Sequence, residues 1–183
     1  MERDLEKNVA AVTDTISRPD TVPCLDAALE EVVVKFLTDR NLTITCAESC
    51  TGGLLSGRII NVPGVSDVYK AGFITYSNKA KHKLLGVKKS TLKKFGAVSK
   101  QTAREMAAGA AKAAKADVAV AVTGIAGPDG GTLEKPVGLV YIGCSVNGKV
   151  TVKKCQFSGN RSQIRESAVV AALKLVRKCM EKR

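Results

Sequence analysis

The stretch "DVAVAV", Asp117–Val122, decides the fold. After its first residue it is continuously apolar. Successive side chains of a strand point to opposite faces, so a strand with one wet face alternates apolar and polar residues. A strand without alternation is buried on both faces, and its sheet is covered on both sides. On its N-terminal side stands "SKQTAREMAAGAAKAAKA", Ser99–Ala116, an Ala-rich helix with Ser99 as its N-cap. On its C-terminal side stands "TGIAGPDGGTLEKPVG", Thr123–Gly138, a long Gly/Pro loop.

Further out, Leu25, Ala28, Leu29, Val32, Val33, Phe36 and Leu37 recur at helical spacing. "LTITCAE", Leu42–Glu48, reads as the first strand and "GGLLSGRIINV", Gly52–Val62, as a helix closed by Pro63-Gly64. "KAGFITYS", Lys70–Ser77, is a second strand, followed by short helical stretches in "NKAKHKLLGV" and "KKSTLKKFG". "LVYIGCSV" and "KVTVKKCQF" form a hairpin about Asn147-Gly148. "NRSQIRESAVVAALKLVRKCM" is a C-terminal helix with Ile164, Ala168, Ala171, Leu175 and Val176 on one face. Residues 1–22 are polar and weakly patterned, an N-terminal extension ahead of one domain over 23–183. The order α-β-α-β-α-α-β-β-β-α is that of a single-domain three-layer α/β/α sandwich. Its central sheet is expected to be mixed and mostly parallel, with the hairpin as the antiparallel part.

The 183 residues suffice for one proper core. No apolar run approaches the roughly 18 residues of a membrane span. The acidic start has no apolar segment of a secretory signal, so a cytoplasmic location is expected. Six cysteines, at 24, 46, 50, 144, 155 and 179, include no CxxC pair. They read as reduced packing residues, and with His82 as the sole histidine no metal site is expected. The net charge is +12, and no acid occurs from Val68 to Arg104. Such a field attracts an anion: a phosphorylated metabolite, nucleic acid or an acidic membrane surface. Aromatic residues at 4% leave few stacking platforms for single-stranded nucleic acid.

Small polar residues gather in "TCAESCTGGLL", Thr45–Leu55, where the first strand ends and a helix starts. Ligands of open α/β sheets bind beyond the carboxyl ends of strands, and free N–H groups at a helix start suit an anion or oxyanion. Ser49 is a candidate nucleophile there, although the G-x-S-x-G elbow is missing and a Ser or Thr before a helix is far more often a cap, a role Thr51 could serve. A serine can be served by a lysine that burial keeps neutral. "FITYSNKAKHK" offers Lys79, Lys81 and Lys83 beside Tyr76, and spacing alone selects none of the three. In the Gly/Pro loop, Thr123, Gly124, Gly127, Gly130 and Gly131 allow close backbone approach to a ligand. A structured surface loop is the equal alternative.

"AESCTGG", "GFITYSNKAKHKLLGV", "GAVS", "TGIAGPDGGT" and "KPVG", in this order and spacing, closely resemble the CinA C-terminal domain family, whose enzymatic members are nicotinamide-nucleotide amidases of the PncC type. The resemblance runs from about Leu25 to about Met180 and matches the stand-alone form of the domain. It implies an α/β/α sandwich that deamidates nicotinamide mononucleotide to nicotinate mononucleotide and ammonia, with no metal or other cofactor. It also implies a Ser49–Lys81 dyad with Tyr76 as helper. Acyl-transfer logic then gives Cys50, Thr51 and Gly52 the oxyanion amides, with Gly52 and Gly53 bringing substrate up to the helix start. Charge assigns Glu48 to the cationic pyridinium and the glycine loop with its lysines to the phosphate. A helix-start N–H is the competing partner for Glu48. A pyridine mononucleotide is thus the expected small-molecule partner. A homodimer through the apolar faces of the terminal helices is also expected, and nucleic acid and membrane are not. The competing functions are a pocket that binds a nucleotide without turnover and a basic nucleic-acid-associated protein.

Overall fold

The structure is a computed structural model that describes residues 29–181. The expected extension over 1–22, Cys24, and the helix positions Leu25 and Ala28 lie outside the described residues. Six helices are described: α1 (Leu29–Thr38), α2 (Leu54–Ile60), α3 (Asn78–Leu85), α4 (Lys89–Phe95), α5 (Lys100–Ala114) and α6 (Arg161–Glu181). The five strands are β1 (Ile44–Glu48), β2 (Tyr69–Ile74), β3 (Val118–Gly124), β4 (Leu139–Val146) and β5 (Lys149–Gln156).

They form one sheet in the order β2-β1-β3-β4-β5. β1 pairs in parallel with β2 and with β3, and the β4–β5 hairpin joins antiparallel to β3. The sheet is mixed, as expected, with four of its five strands running in one direction.

Central β3 explains the layering. Val118 through Val122 are fully buried. Val118, Val120 and Val122 point to the core shared with α1, α2 and α6, while Ala119 and Ala121 point to Met106, Ala107 and Ala110 of α5. The larger residues thus face one helical layer and the small ones let α5 lie close on the other. Gly143 of β4 continues the small face: a Cβ there would overlap the backbone of Ala103.

Three boundaries differ from those expected. Three helices separate β2 from β3, matching the three helical stretches read there and one more than the expected element order counted; Gly86 (φ 67°) stops α3 in a left-handed C-cap before α4 begins at Lys89. β2 ends at Ile74, leaving Thr75, Tyr76 and Ser77 in the turn that follows. α2 starts at Leu54, so Gly52 (φ 59°) and Gly53 (φ 102°) belong to the preceding turn. The apolar face of α6 is spent inside the chain, where Ile164, Ala168, Val169, Ala172, Leu173 and Val176 are buried. Among the described residues no helix is long and apolar enough to cross a membrane.

Candidate active site

The site lies beyond the carboxyl ends of β1, β2 and β3. Ser49 follows β1 directly, and its N–H donates to Val122 O of β3 at 3.0 Å. Thr75 follows β2, and its N–H donates to Glu48 O at 2.7 Å. These two bonds extend the parallel pairing past the strand ends and fix the turns carrying Ser49 and Tyr76 side by side. Ser77 then caps α3, accepting from Ala80 N at 3.1 Å.

α3 brings Lys81 inward. Lys81 shares its helix face with buried Leu85 at i,i+4, whereas Lys79 and Lys83 are exposed. Lys81 is 0% exposed. Its Nζ lies 3.0 Å from Ser49 Oγ and 2.7 Å from Thr75 O. Desolvation by burial lowers its pKa from 10.5 to about 8, and the nearby Cys50 thiol opposes the shift. The resemblance-based choice of Lys81 and Ser49 therefore corresponds to a contact between two buried side chains 32 residues apart in the chain.

The cleft around this pair has a volume of about 270 Å³. Ser49, Cys50, Tyr76, Lys81, Thr123, Gly124, Gly127 and Gly130 all line it. Thr123 Oγ1 donates to Ala97 O at 2.9 Å, tying the "GAVS" turn to the end of β3. Larger hollows of about 570 and 560 Å³, between β5 and α6 and beside α3 and α4, are lined by lysines and lie away from the Ser49–Lys81 pair.

Glu48, Thr51, Gly52, Gly53 and Gly131 do not line the cleft. Glu48 corrects one expectation. It is fully buried, and its carboxylate accepts from the N–H groups of Gly53 (2.9 Å), Leu55 (3.1 Å) and Ser56 (2.8 Å) and from Ser56 Oγ (2.5 Å). Its position at the positive end of α2 leaves it no access to a substrate cation. The capping role considered for Thr51 thus falls to Glu48, and Thr51 Oγ1 is buried with no protein partner. Gly53 adapts the turn instead of meeting substrate: its φ is left-handed and Ile74 stands over it. Gly131 lies against Val137 within its own loop.

The N–H groups of Cys50, Thr51 and Gly52 donate to no oxygen among the described residues. Cys50 itself is a neutral thiol, because burial raises its pKa to about 11. Among the described residues, Cys46, Cys50, Cys144, Cys155 and Cys179 form no disulfide. Among the described residues no group of three or more His, Cys, Asp or Glu is arranged to hold a metal ion.

Two cleft residues were missed from sequence. Arg161, at the start of α6, donates from Nη1 to Gly127 O at 2.7 Å and from Nη2 to Tyr76 Oη at 3.2 Å. Asp129 contributes the one carboxylate lining the cleft among the described residues. Neither carries a local signal, since one opens a distant helix and the other sits in the glycine loop. Arg165, one turn beyond Arg161, holds Cys50 O (3.1 Å) and Thr51 O (2.8 Å).

Comparison with known proteins agrees with this architecture. A CinA-like protein of Kosmotoga olearia is 58% identical over 155 residues, 85% of this chain. The chain spans 38% of that relative's length. The solved competence/damage inducible protein CihA of Agrobacterium tumefaciens is 44% identical, with a TM-score of 0.81 over 83% of this chain and 93% of that one. A competence-damaged protein (CinA) superfamily structure from Klebsiella pneumoniae is 31% identical, with a TM-score of 0.83 over 86% of this chain and 98% of that one. The model of the CinA C-terminal domain matches residues 26–180, and the chain belongs to that family.

Proposed function

We propose that the protein is a nicotinamide-nucleotide amidase, hydrolysing nicotinamide mononucleotide to nicotinate mononucleotide and ammonia through an acyl-enzyme on Ser49. The observation that carries this reading is the buried Lys81 Nζ, 3.0 Å from Ser49 Oγ. A lysine whose pKa falls to about 8 is neutral in a useful fraction of molecules near neutral pH. Neutral Lys81 takes the Ser49 proton as Oγ attacks the carboxamide carbon. The carbonyl electrons move to an oxyanion, stabilised by backbone N–H groups of the cleft wall. Collapse breaks the C–N bond, and Lys81 returns the proton to the departing ammonia. Water, activated by the same amine, then cleaves the ester to the carboxylate.

The cleft walls suit the two ends of the substrate. Asp129 offers the pyridinium a carboxylate in place of the unavailable Glu48, and Arg161 and the glycine-loop amides offer donors to the phosphate. Tyr76 Oη is held by Arg161 at the rim, where it orients incoming substrate. The test is ammonia release. Wild type turns over the mononucleotide, while Ser49→Ala and Lys81→Ala each lose at least roughly 10³-fold in kcat with their fold intact. Undiminished turnover in either variant removes the dyad from the mechanism. Binding of the mononucleotide by wild type without any ammonia would favour the non-catalytic reading.

A further inference from the structure

We propose that the hollow between β5 and α6 is a separate ligand site, one that takes a nucleoside polyphosphate. No residue lines both this hollow and the Ser49 cleft, so the site stands apart from the proposed reaction. It begins with a break in the pattern of β5. Directly opposed cross-strand residues share a face of the sheet. Lys149 pairs with Val146, Thr151 with Cys144 and Lys153 with Ile142, and those three β4 residues are buried in the core shared with α6. Lys149, Thr151 and Lys153 therefore occupy the face of β5 on which a covered strand carries apolar residues. Further along that face Cys155 is buried, whereas Lys149, Thr151 and Lys153 are exposed. The helix covers one end of the strand and leaves a space of about 570 Å³ at the other.

The opposite wall is α6. Lys174 and Lys178 line the hollow one turn apart, as do Leu175 and Cys179. Four lysines thus converge on one space, and no carboxylate lines it among the described residues. Lys149, Lys153 and Lys178 form no ion pair among the described residues. Lysines on an edge strand deter pairing with another sheet, which accounts for Lys149 and Lys153. That role does not account for Lys174 and Lys178, which repel each other along their helix and line the same space from its other side. Natural sequences break such local rules at functional sites, and an anion is the partner that resolves the repulsion. The walls indicate its class. The backbones of Lys149 and Lys153 stand about 13 Å apart along the strand, and those of Lys174 and Lys178 about 6 Å apart along the helix. Such a spread suits several phosphates in a row better than one. Buried Val146 and Leu175 give the nucleoside an apolar floor, and the volume is that of a small-molecule pocket. A membrane or a duplex would meet only the rim, whereas a small polyanion seated between strand and helix is held from both walls.

The experiment uses the full chain and ATP in EDTA at about 0.1 M salt. Calorimetry gives the Kd. The rate of Cys179 alkylation by iodoacetamide, read by peptide mass, reports occupancy of this hollow, because Cys179 lines it and not the cleft. Wild type is compared with Lys149→Gln/Lys153→Gln and Lys174→Gln/Lys178→Gln, each shown to be folded by circular dichroism. Lys93→Gln/Lys94→Gln on α4 removes the same charge elsewhere. ATP is expected to bind wild type with a Kd below about 0.1 mM and to slow Cys179 alkylation. Each hollow variant should weaken ATP by at least about tenfold and the α4 variant by less than about threefold. AMP should bind at least about tenfold more weakly than ATP, and inorganic triphosphate about threefold or more. The proposal is overturned by no binding at about 1 mM ATP, by equal losses in the hollow and α4 variants, or by binding that leaves Cys179 alkylation unchanged. Inorganic triphosphate binding as tightly as ATP removes the nucleoside and overturns it too. An oligothymidylate that binds more tightly than ATP, and loses that advantage in the hollow variants, would assign the site to nucleic acid instead. Should one hollow variant fail to fold, the other carries the test by the same criteria.

Discussion

At the scale of single residues, the proposed chemistry depends on one amine being dry. Burial is the largest cause of the Lys81 shift to about 8. A neutral base is required, so kcat/KM should rise about tenfold per pH unit at low pH and level off above an inflection near 8. An unshifted lysine would put that inflection at 10.5, and a profile still climbing through pH 9 would remove Lys81 as the base. The same shift acts on stability. A lysine with a depressed native pKa binds fewer protons folded than unfolded between about 8 and 10.5, so wild-type stability gains as pH rises through that window. The full shift corresponds to about 3 kcal/mol. In Lys81→Met this contribution vanishes. The difference in urea midpoint between wild type and variant should therefore change with pH across that window and be flat well below it. The pair was only partly legible in the sequence. Lys79, Lys81 and Lys83 are equivalent by composition, and resemblance chose among them. The physical discriminator is the i,i+4 relation of Lys81 to Leu85, which becomes decisive only once α5 covers that face. Arg161 and Arg165 left no trace, because their partners, backbone carbonyls and the Tyr76 hydroxyl, are 34 and more residues away.

At the scale of elements, helix ends and close contacts hold the site together. Glu48→Ala would leave the N–H groups of Gly53, Leu55 and Ser56 without their side-chain acceptor, at a cost of at least about 3 kcal/mol. Glu48→Gln keeps an acceptor oxygen and costs less, about 1–2 kcal/mol. The folded Gln variant is expected to keep the wild-type KM for the mononucleotide. A KM raised tenfold would restore the pyridinium contact that the burial of Glu48 argues against. Gly109 on α5 sets two effects against each other. Alanine favours a helix over glycine by about 1 kcal/mol. Yet a Cβ at Gly109 would overlap the backbone carbonyl of Leu85 at the end of α3. Overpacking against backbone costs about 1–3 kcal/mol and cannot be relieved by a rotamer change. Gly109→Ala should therefore lower the thermal midpoint. It should also lower kcat, because the displaced helix carries Lys81. Much at this scale was readable in advance. "DVAVAV" announced a buried strand, Asn147-Gly148 the hairpin, and Ser99 the start of α5, whose side chain accepts from Thr102 N–H. What was hidden was the division of labour on β3, valines to one layer and alanines to the other, which depends on the helix that each face meets.

At the scale of the whole molecule, the proposed anionic substrate would meet a strongly basic field. The chain carries +12, and its cleft contains Lys81, Arg161 and Asp129. Nicotinamide mononucleotide combines a pyridinium of +1 with a phosphate of about −1.5 to −2, so it is a net anion. A strongly basic surface raises the encounter rate for such a substrate, and salt screens that attraction over a Debye length of about 10 Å at 0.1 M. Raising ionic strength from about 0.02 to 0.5 M should lower kcat/KM for the mononucleotide by roughly 3- to 10-fold, with kcat little changed. The same nucleoside without its phosphate is a cation. Its slower turnover should be flat or should rise with salt, since screening then removes a repulsion. Parallel salt responses for the two compounds would mean that the basic surface plays no part in substrate capture, leaving those lysines as a solvated face. Opposite responses would tie the basic surface, which includes the acid-free segment from Val68 to Arg104 and the proposed catalytic amine, to capture of the phosphate.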